Sequence, residues 1–462
     1  MIDILDFKGV RVHMIGIGGS SMSGLAEMLL HEGYTLTGSD NTHSHAVERL
    51  EKEGIHIEIG HRPENVRGAA LVIFSAAILP DNPERQEAAR LGIPEMERSV
   101  LLGQLMRFHK HAVCVSGAHG KTTTSAMIAQ ILLDCGLDPT VSIGGRLDAI
   151  GGGSRDGGRE IFVAEACEYH SSFLEMHPTL AVVLNIDEDH LDYYGDIEHI
   201  EKAFGDFLSL VPSTGTALGW GDDPRVRRLF KNLGCRAMFF GDGKGCDFRT
   251  VNVNQGEHGN ASFDISFQGR ILGHVDLKVV GDKNRLDALA AFASAYLCGA
   301  DASGACASLT AFAGAHRRFE KTGVIDGVSL YHDYGHNPAE MRTAVHNAVM
   351  QHPHAVWAVV QPHTYSRVIT LFDAYLTCTE EADHTLVTDI CAAREKDPGT
   401  INSAMLVDGM RKNGVDAYLT PSFDDCEQYL RSHWQPGDLV ITMGCGDINL
   451  LNEQMHAHGD TK

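Results

Sequence analysis

Two glycine-rich turns carry the residues whose types and spacing could do chemistry. The more exacting is Gly117-Ala118-His119-Gly120-Lys121-Thr122-Thr123-Thr124, which follows an apolar run at 112–115. Between a strand and a helix, such a loop is a phosphate cradle. Its amides face the phosphates, the lysine neutralises the outer ones and the first hydroxyl can ligate Mg2+. Gly117 lies three residues before Gly120, closer than in the usual G-x-x-x-x-G-K-[ST]. Glu165 closes the apolar run 161–164, and His190 sits in Asn185-Ile-Asp-Glu-Asp-His190-Leu-Asp192, just past 180–184. Ligands in open α/β sheets bind at the carboxyl ends of strands. Thr122, Glu165 and His190 are therefore the expected Mg2+ ligands, with water completing the shell.

The other turn is Gly16-Ile-Gly18-Gly19-Ser20-Ser21-Met22-Ser23-Gly24, with Asp40 placed 24 residues after Gly16. This is close to a dinucleotide fingerprint, except that Ser21 replaces the third glycine. Three readings stay open: the nicotinamide cofactor of an oxidoreductase, another nucleotide diphosphate, or a tight turn without a ligand. Asp40 could hydrogen-bond a ribose hydroxyl or cap a loop.

The elements that must position these turns read as α/β throughout. Strands are expected at 10–15, 34–37, 55–59 and 71–74, then at 112–115, 161–164 and 180–184. A third set is expected at 328–331, 356–360, 385–388, 417–419 and 439–442. Helices lie between them, including 21–32, 121–135 and 286–297, which implies parallel sheets. Val251, Val253, Phe263, Ile265 and Phe267 alternate around a turn-like 255–260, which predicts an inserted antiparallel hairpin. Asn337-Pro338-Ala339-Glu340 predicts a capped helix start. The three segments are expected to be domains at 1–108, 109–314 and 315–462.

Composition narrows the function further. The 462 residues carry 61 acids against 38 Lys and Arg, a net charge of -23. That argues against a protein that grips nucleic acid or an anionic membrane; it fits a soluble protein. At 43% hydrophobic and 21% charged residues, the chain is an ordinary globular one. The first residues carry acids where a secretion signal needs bases, and no apolar run approaches the 18 or so residues of a membrane span. Eleven scattered cysteines without a C-x-x-C pair fit reduced thiols in a cytosolic protein better than disulfides or zinc. Nothing in the sequence indicates an oligomeric state.

The two turns, the Asn185 motif, His316-Arg-Arg-Phe-Glu320, His332-Asp-Tyr-Gly-His-Asn-Pro-Ala-Glu340, Gln361-Pro-His-Thr-Tyr-Ser-Arg367 and Met443-Gly-Cys-Gly-Asp447 together resemble the Mur ligase family. Their order and spacing span nearly the whole chain. The resemblance implies three domains: a Rossmann-like one for a UDP-sugar, a P-loop ATPase-like one for ATP and a Rossmann-like one for the amino acid. The reaction it implies is addition of L-alanine to the lactyl carboxylate of UDP-N-acetylmuramate through an acyl phosphate, with ATP and Mg2+. A recycling ligase that adds a preformed tripeptide is the alternative within the family. Outside it stand a nicotinamide oxidoreductase, and a regulatory protein that keeps the fold without catalysis.

The resemblance also implies site residues. Gly16, Gly18, Gly19, Ser20, Ser21, Met22, Asp40 and Ser75 would hold the UDP-sugar. Residues Gly117, Ala118, His119, Gly120, Lys121, Thr122 and Thr123, with Asn284, Arg318 and Asp333, would hold ATP. Lys121, Glu165, His190 and Arg318 would be catalytic, and Tyr334, His336 and Arg367 would lie around the alanine. Several positions depart from the family pattern: Ala118, Cys167 in place of an Asp, Lys283 in place of a His, Gly335 and Asn337. Phe204 falls where some relatives carry a carbamylated lysine, so no such adduct is expected.

Overall fold

The computed structural model describes residues 2–393 and 395–459; Met1, Arg394 and 460–462 lie outside it, as does the side chain of Asp192 in the motif 185–192. The chain divides into two compact units. One comprises Met1–Val253, Ser262–Leu277 and Lys283–Phe312; the other comprises Asn254–Ala261, Lys278–Asp282 and Ala313–Lys462.

The first sheet is built from β1 (Arg11–Ile15), β2 (Thr35–Asp40), β3 (His56–Ile59), β4 (Leu71–Phe74) and β5 (Glu95–Glu97). All pairs are parallel, in the order β3-β2-β1-β4-β5. The order reverses direction between β1 and β4, which opens a crevice at their carboxyl ends. The first glycine turn leaves β1 there. The turn leads into helix Ser20–His31, and helix Arg98–Met106 follows β5 directly. The sequence reading lacked β5, whose three residues are too short to show a period.

The second sheet has ten strands: β6 (His111–Ser116), β7 (Thr140–Leu147), β8 (Gly152–Arg155), β9 (Ile161–Glu165), β10 (Leu180–Val183), β11 (Thr216–Trp220), β12 (Arg236–Gly241), β13 (Phe248–Gln255), β14 (Asn260–Phe267) and β15 (Arg270–Val280). The order is β15-β14-β13-β12-β11-β10-β6-β9-β7-β8. β6 pairs parallel with β9 and β10, so the P-loop, the end of β9 and the motif 185–192 share one edge. Helix Lys121–Asp134 buries nearly all its faces, as a helix covered on every side must. The expected hairpin has a third strand, β15. Adjacent apolar Ile271 and Leu272, with Ile271 56% exposed, broke its alternation in the sequence.

The third sheet comprises β16 (Glu320–Ile325), β17 (Val328–Asp333), β18 (Val356–Val360), β19 (His384–Val387), β20 (Ala417–Leu419) and β21 (Leu439–Met443), in the order β16-β17-β21-β18-β19-β20. Only the β16–β17 pair is antiparallel. Asn337 caps helix Pro338–Val349 by accepting from Glu340 N–H. The Glu340 carboxylate accepts from His336 N–H, one residue before the cap. Among the described residues no helix is long and apolar enough to cross a membrane.

Candidate active site

At the first turn, Gly16 takes φ +72° and the amides of Gly16 and Ile17 donate to Ser39 O. A Cβ on Gly18 would lie 2.7 Å from Val47 Cγ2, so only glycine fits. Helix Ser20–His31 has no side-chain cap, which leaves its first amides available to a ligand. Asp40 Oδ2 accepts from Gly18 N–H at 2.9 Å and Oδ1 from Thr42 N–H at 3.2 Å. Its carboxylate braces the loop, the second of the two roles open to it from sequence. The Met22 side chain is 2% exposed and packs in the core, so only its backbone faces the turn. Ser75 lies just past β4 and accepts from Ile78 N–H.

At the second turn, Asn185 holds the loop from both sides. Its Oδ1 accepts from His119 N–H at 2.9 Å and its Nδ2 donates to His119 O at 3.0 Å. Lys121 Nζ donates to Gly117 O at 2.5 Å, Ala118 O at 3.2 Å and Glu168 Oε1 at 2.9 Å. Burial alone would depress the ammonium's pKa. The carboxylates of Glu168 and, less, Asp189 more than offset that and hold it above the ordinary value. Thr122 is buried at the helix start, its methyl close against Gly145.

Beyond the lysine, Glu168, Asp189 and His190 bring one ligand atom each within 4.8 Å of one another. His190 Nε2 lies 3.9 Å from Glu168 Oε1 and 3.8 Å from Asp189 Oδ2. Glu168 is 2% exposed, and among the described residues its Oε2 has no hydrogen-bond partner. A buried carboxylate oxygen left over in this way, beside a second carboxylate, suits a hard divalent cation. Of the three ligands expected from sequence, His190 falls in this cluster. Glu165 accepts from Gly144 N–H at 2.7 Å instead. Glu168 and Asp189 were missed, although both stand inside the motifs that carry Glu165 and His190. Phe204 is buried and packs edge-on to Phe173, and Lys202 pairs with Asp206 at 2.6 Å.

A cavity of about 300 Å³ adjoins the P-loop, lined by His119, Gly120, Asn185, Trp220, Phe240, Lys283 and Leu286 among others. Asn284 stands between the lining residues, in the first turn of helix Asp282–Leu297. Arg285 anchors that helix by a fork onto Asp242, at 2.8 and 2.9 Å.

The second unit carries Arg318, Asp333, Tyr334, His336 and Arg367. Arg317 is internal: its Nε donates to His332 Nε2 at 2.9 Å and its Nη2 donates to the carbonyls of Gly444 and Gly446. His332 must then be neutral, with Nδ1–H directed at Thr442. Burial and Arg317 push its pKa down to about 4. Arg318 stacks 5.2 Å from the Tyr334 ring centroid. Asp333 accepts from Phe319 and Gly335 N–H, both at 2.7 Å. Burial raises its pKa, opposed by Arg318 and these amides. Tyr375 Oη donates to His336 O at 3.0 Å, and Arg367 Nη1 lies 3.2 Å from His363 Nδ1. Burial, then Arg367 and His336, hold His363 at about 4.

Three α/β sheets, with a P-loop on the second and an amide-rich turn on the first, define a nucleotide-binding α/β protein. Family models for the Mur ligase catalytic domain, middle domain and glutamate ligase domain match residues 11–110, 115–295 and 317–446. The chain belongs to the Mur ligase family. More particularly, it is 46% identical over 454 residues to a UDP-N-acetylmuramate–L-alanine ligase of Caldanaerobacter subterraneus, covering 98% of each chain. It is 44% identical to one of Acetivibrio thermocellus, covering 98% of this chain and 97% of the relative. The crystal structure of the UDP-N-acetylmuramate-alanine ligase of Thermotoga maritima superposes with a TM-score of 0.80 at 25% identity. The match covers 97% of this chain and 99% of that one.

Proposed function

We propose that the chain is an ATP-dependent ligase that joins L-alanine to the lactyl carboxylate of UDP-N-acetylmuramate, a step in building peptidoglycan and so in cell-wall growth and division. We place it in the cytoplasm, where ATP is at hand. The carboxylate oxygen attacks the γ-phosphorus of ATP and the bond to the β-phosphate oxygen breaks, releasing ADP. The alanine nitrogen then attacks the acyl carbon, the carbon–oxygen bond to phosphate breaks, and the nitrogen loses a proton. The transfer needs alignment and charge neutralisation more than covalent help.

The observation that carries this chemistry is Lys121 at the mouth of the P-loop, beside three chelating side chains. Lys121 exchanges Glu168 and its loop carbonyls for the outer phosphates, and Asn185 keeps the loop amides aimed. Arg318 and Asp333 are assigned to the nucleotide, and Tyr334, His336 and Arg367 to the alanine. A guanidinium suits the alanine carboxylate because it can bind it in a fork. Thr122, Glu165 and His190, with Glu168 and Asp189 alongside, would hold Mg2+. When bound, the ion would neutralise charge on the β- and γ-oxygens. UDP-N-acetylmuramate is assigned to the crevice of the first sheet.

The test is phosphate release from ATP and Mg2+ with UDP-N-acetylmuramate and, in parallel, alanine, glycine, serine or a stem tripeptide. Release with alanine well above the others is expected, and none with UDP-N-acetylglucosamine, which has no lactyl carboxylate. Release only with the tripeptide would replace this reading by the recycling ligase.

A further inference from the structure

Arg98 is the first residue of helix Arg98–Met106, immediately past the carboxyl end of β5. That is the sheet edge at which β1 delivers the first glycine turn. Its Nη1 donates to Ser21 Oγ at 2.9 Å, across 77 residues of sequence. Among the described residues it forms no other hydrogen bond and no ion pair. Burial draws its pKa down; Cys167 and its chain neighbour Glu97 only partly oppose this. Burial also raises the Cys167 pKa, so the thiol is neutral and compensates no charge.

The placement is electrostatically adverse three times over. A cation stands at the N-terminus of its own helix, where the helix dipole is positive. It reaches the second residue of helix Ser20–His31, another positive helix end. It is partly desolvated without a carboxylate in contact. Proteins rarely leave a guanidinium so placed unless an anion completes it. Around the same sheet Arg85 pairs with Glu95, Arg67 and Arg90 with Glu87, and Arg62 with Glu58, while Arg11 of β1 donates to the carbonyl of Arg67 and, among the described residues, has no ion pair.

We infer that Arg98 is the cationic clamp for the diphosphate of the sugar nucleotide. Ser21 fixes one N–H of the fork, and the remaining N–H groups face the anion that the free amides of helix Ser20–His31 also face. The inference rests on the substrate reading above and adds to it the residue that supplies charge. In so acidic a chain, amides alone would leave the diphosphate's charge unanswered. Cys167 and Glu168 follow β9 in the P-loop domain, so Arg98 also stands where the first sheet's crevice approaches the lysine and its carboxylate.

The experiment is isothermal titration of the full chain with uridine, UMP and UDP, comparing the native protein with Arg98→Gln and Arg98→Lys. The native protein should prefer UDP to uridine. Arg98→Gln should weaken UDP binding by about 10- to 100-fold, the scale of lost charge-assisted hydrogen bonds, and leave uridine unchanged. Arg98→Lys keeps the charge but not the fork, and should lose about fivefold for UDP alone. A thermal melt of each variant reports folding. An unchanged UDP-to-uridine ratio in both variants, or an equal loss for both ligands, would overturn the clamp. If the native protein does not prefer UDP to uridine, the substrate reading itself fails, along with the clamp.

Discussion

The two glycine turns of the first unit solve the same problem with opposite signs. In the first, the chain's own carboxylate, Asp40, sits on a loop amide. In the second, the chain's own ammonium, Lys121, sits on loop carbonyls and on Glu168. Each loop thus carries a charged group of the chain's own, but a phosphate meets the two differently. At the first turn it must tolerate a nearby anion and draw on Arg98 and helix amides. At the second it inherits a cation that has only to change partners. The difference teaches that similar strand–turn–helix geometry does not fix the ligand. What fixes it is which charged group the rest of the fold leans against the loop.

The largest effect expected from this contrast is at Lys121. Lys121→Ala should lower turnover by about 1,000-fold, the scale for losing a preorganised charge at a phosphoryl transfer. Folding should suffer as well, because Lys121 is ion-paired with a carboxylate only 2% exposed. Removing one partner of a buried pair strands the other, at about 3 kcal/mol. Thermal unfolding should therefore show a clear loss for Lys121→Ala and a recovery when Glu168→Gln is added, while turnover stays lost. Recovery of turnover in the double variant would mean that Lys121 acts only through folding.

An intermediate effect is expected from Glu168→Gln alone. With its charge partner gone, Lys121 should release more readily to phosphates. ATP affinity measured in a chelator should rise about fivefold, the worth of one charge-assisted bond set against a neutral one. The gain on adding Mg2+ should shrink, because one of the side chains proposed to hold the ion has been removed. Equal affinities with and without the substitution would show that the lysine is not held back.

The smallest effect belongs to the first turn. Asp40→Asn keeps an acceptor for Gly18 N–H and removes one negative charge near the diphosphate. UDP binding should tighten about twofold at low salt, with the gain fading as ionic strength rises. A large loss would instead make Asp40 a direct ligand of the substrate.

The parts of this arrangement legible in the sequence were contiguous ones. The P-loop announces itself because glycine, lysine and threonine lie in one run after an apolar strand. The helix at Pro338 does so because cap and proline are neighbours. What stayed hidden depends on pairing across distance. Lys121 meets Glu168 across 47 residues and Ser21 meets Arg98 across 77, and no local period records either. Glu168 was passed over for Glu165 because a strand end is easier to see than the irregular turn after it. His170 and Ser171 there take left-handed φ of 52° and 54°. β7 was lost for a similar reason, since Gly144-Gly145 interrupts its alternation.

The most direct test of the account follows an oxygen atom. If the carboxylate attacks ATP before alanine arrives, one lactyl oxygen must leave with the phosphate. UDP-N-acetylmuramate labelled with ¹⁸O in that carboxylate, turned over with ATP and L-alanine, should give one ¹⁸O in the phosphate for each amide formed. Unlabelled phosphate, with the displaced labelled oxygen found in water or in another product of ATP, would contradict the acyl phosphate and with it the assigned roles of the P-loop and Lys121.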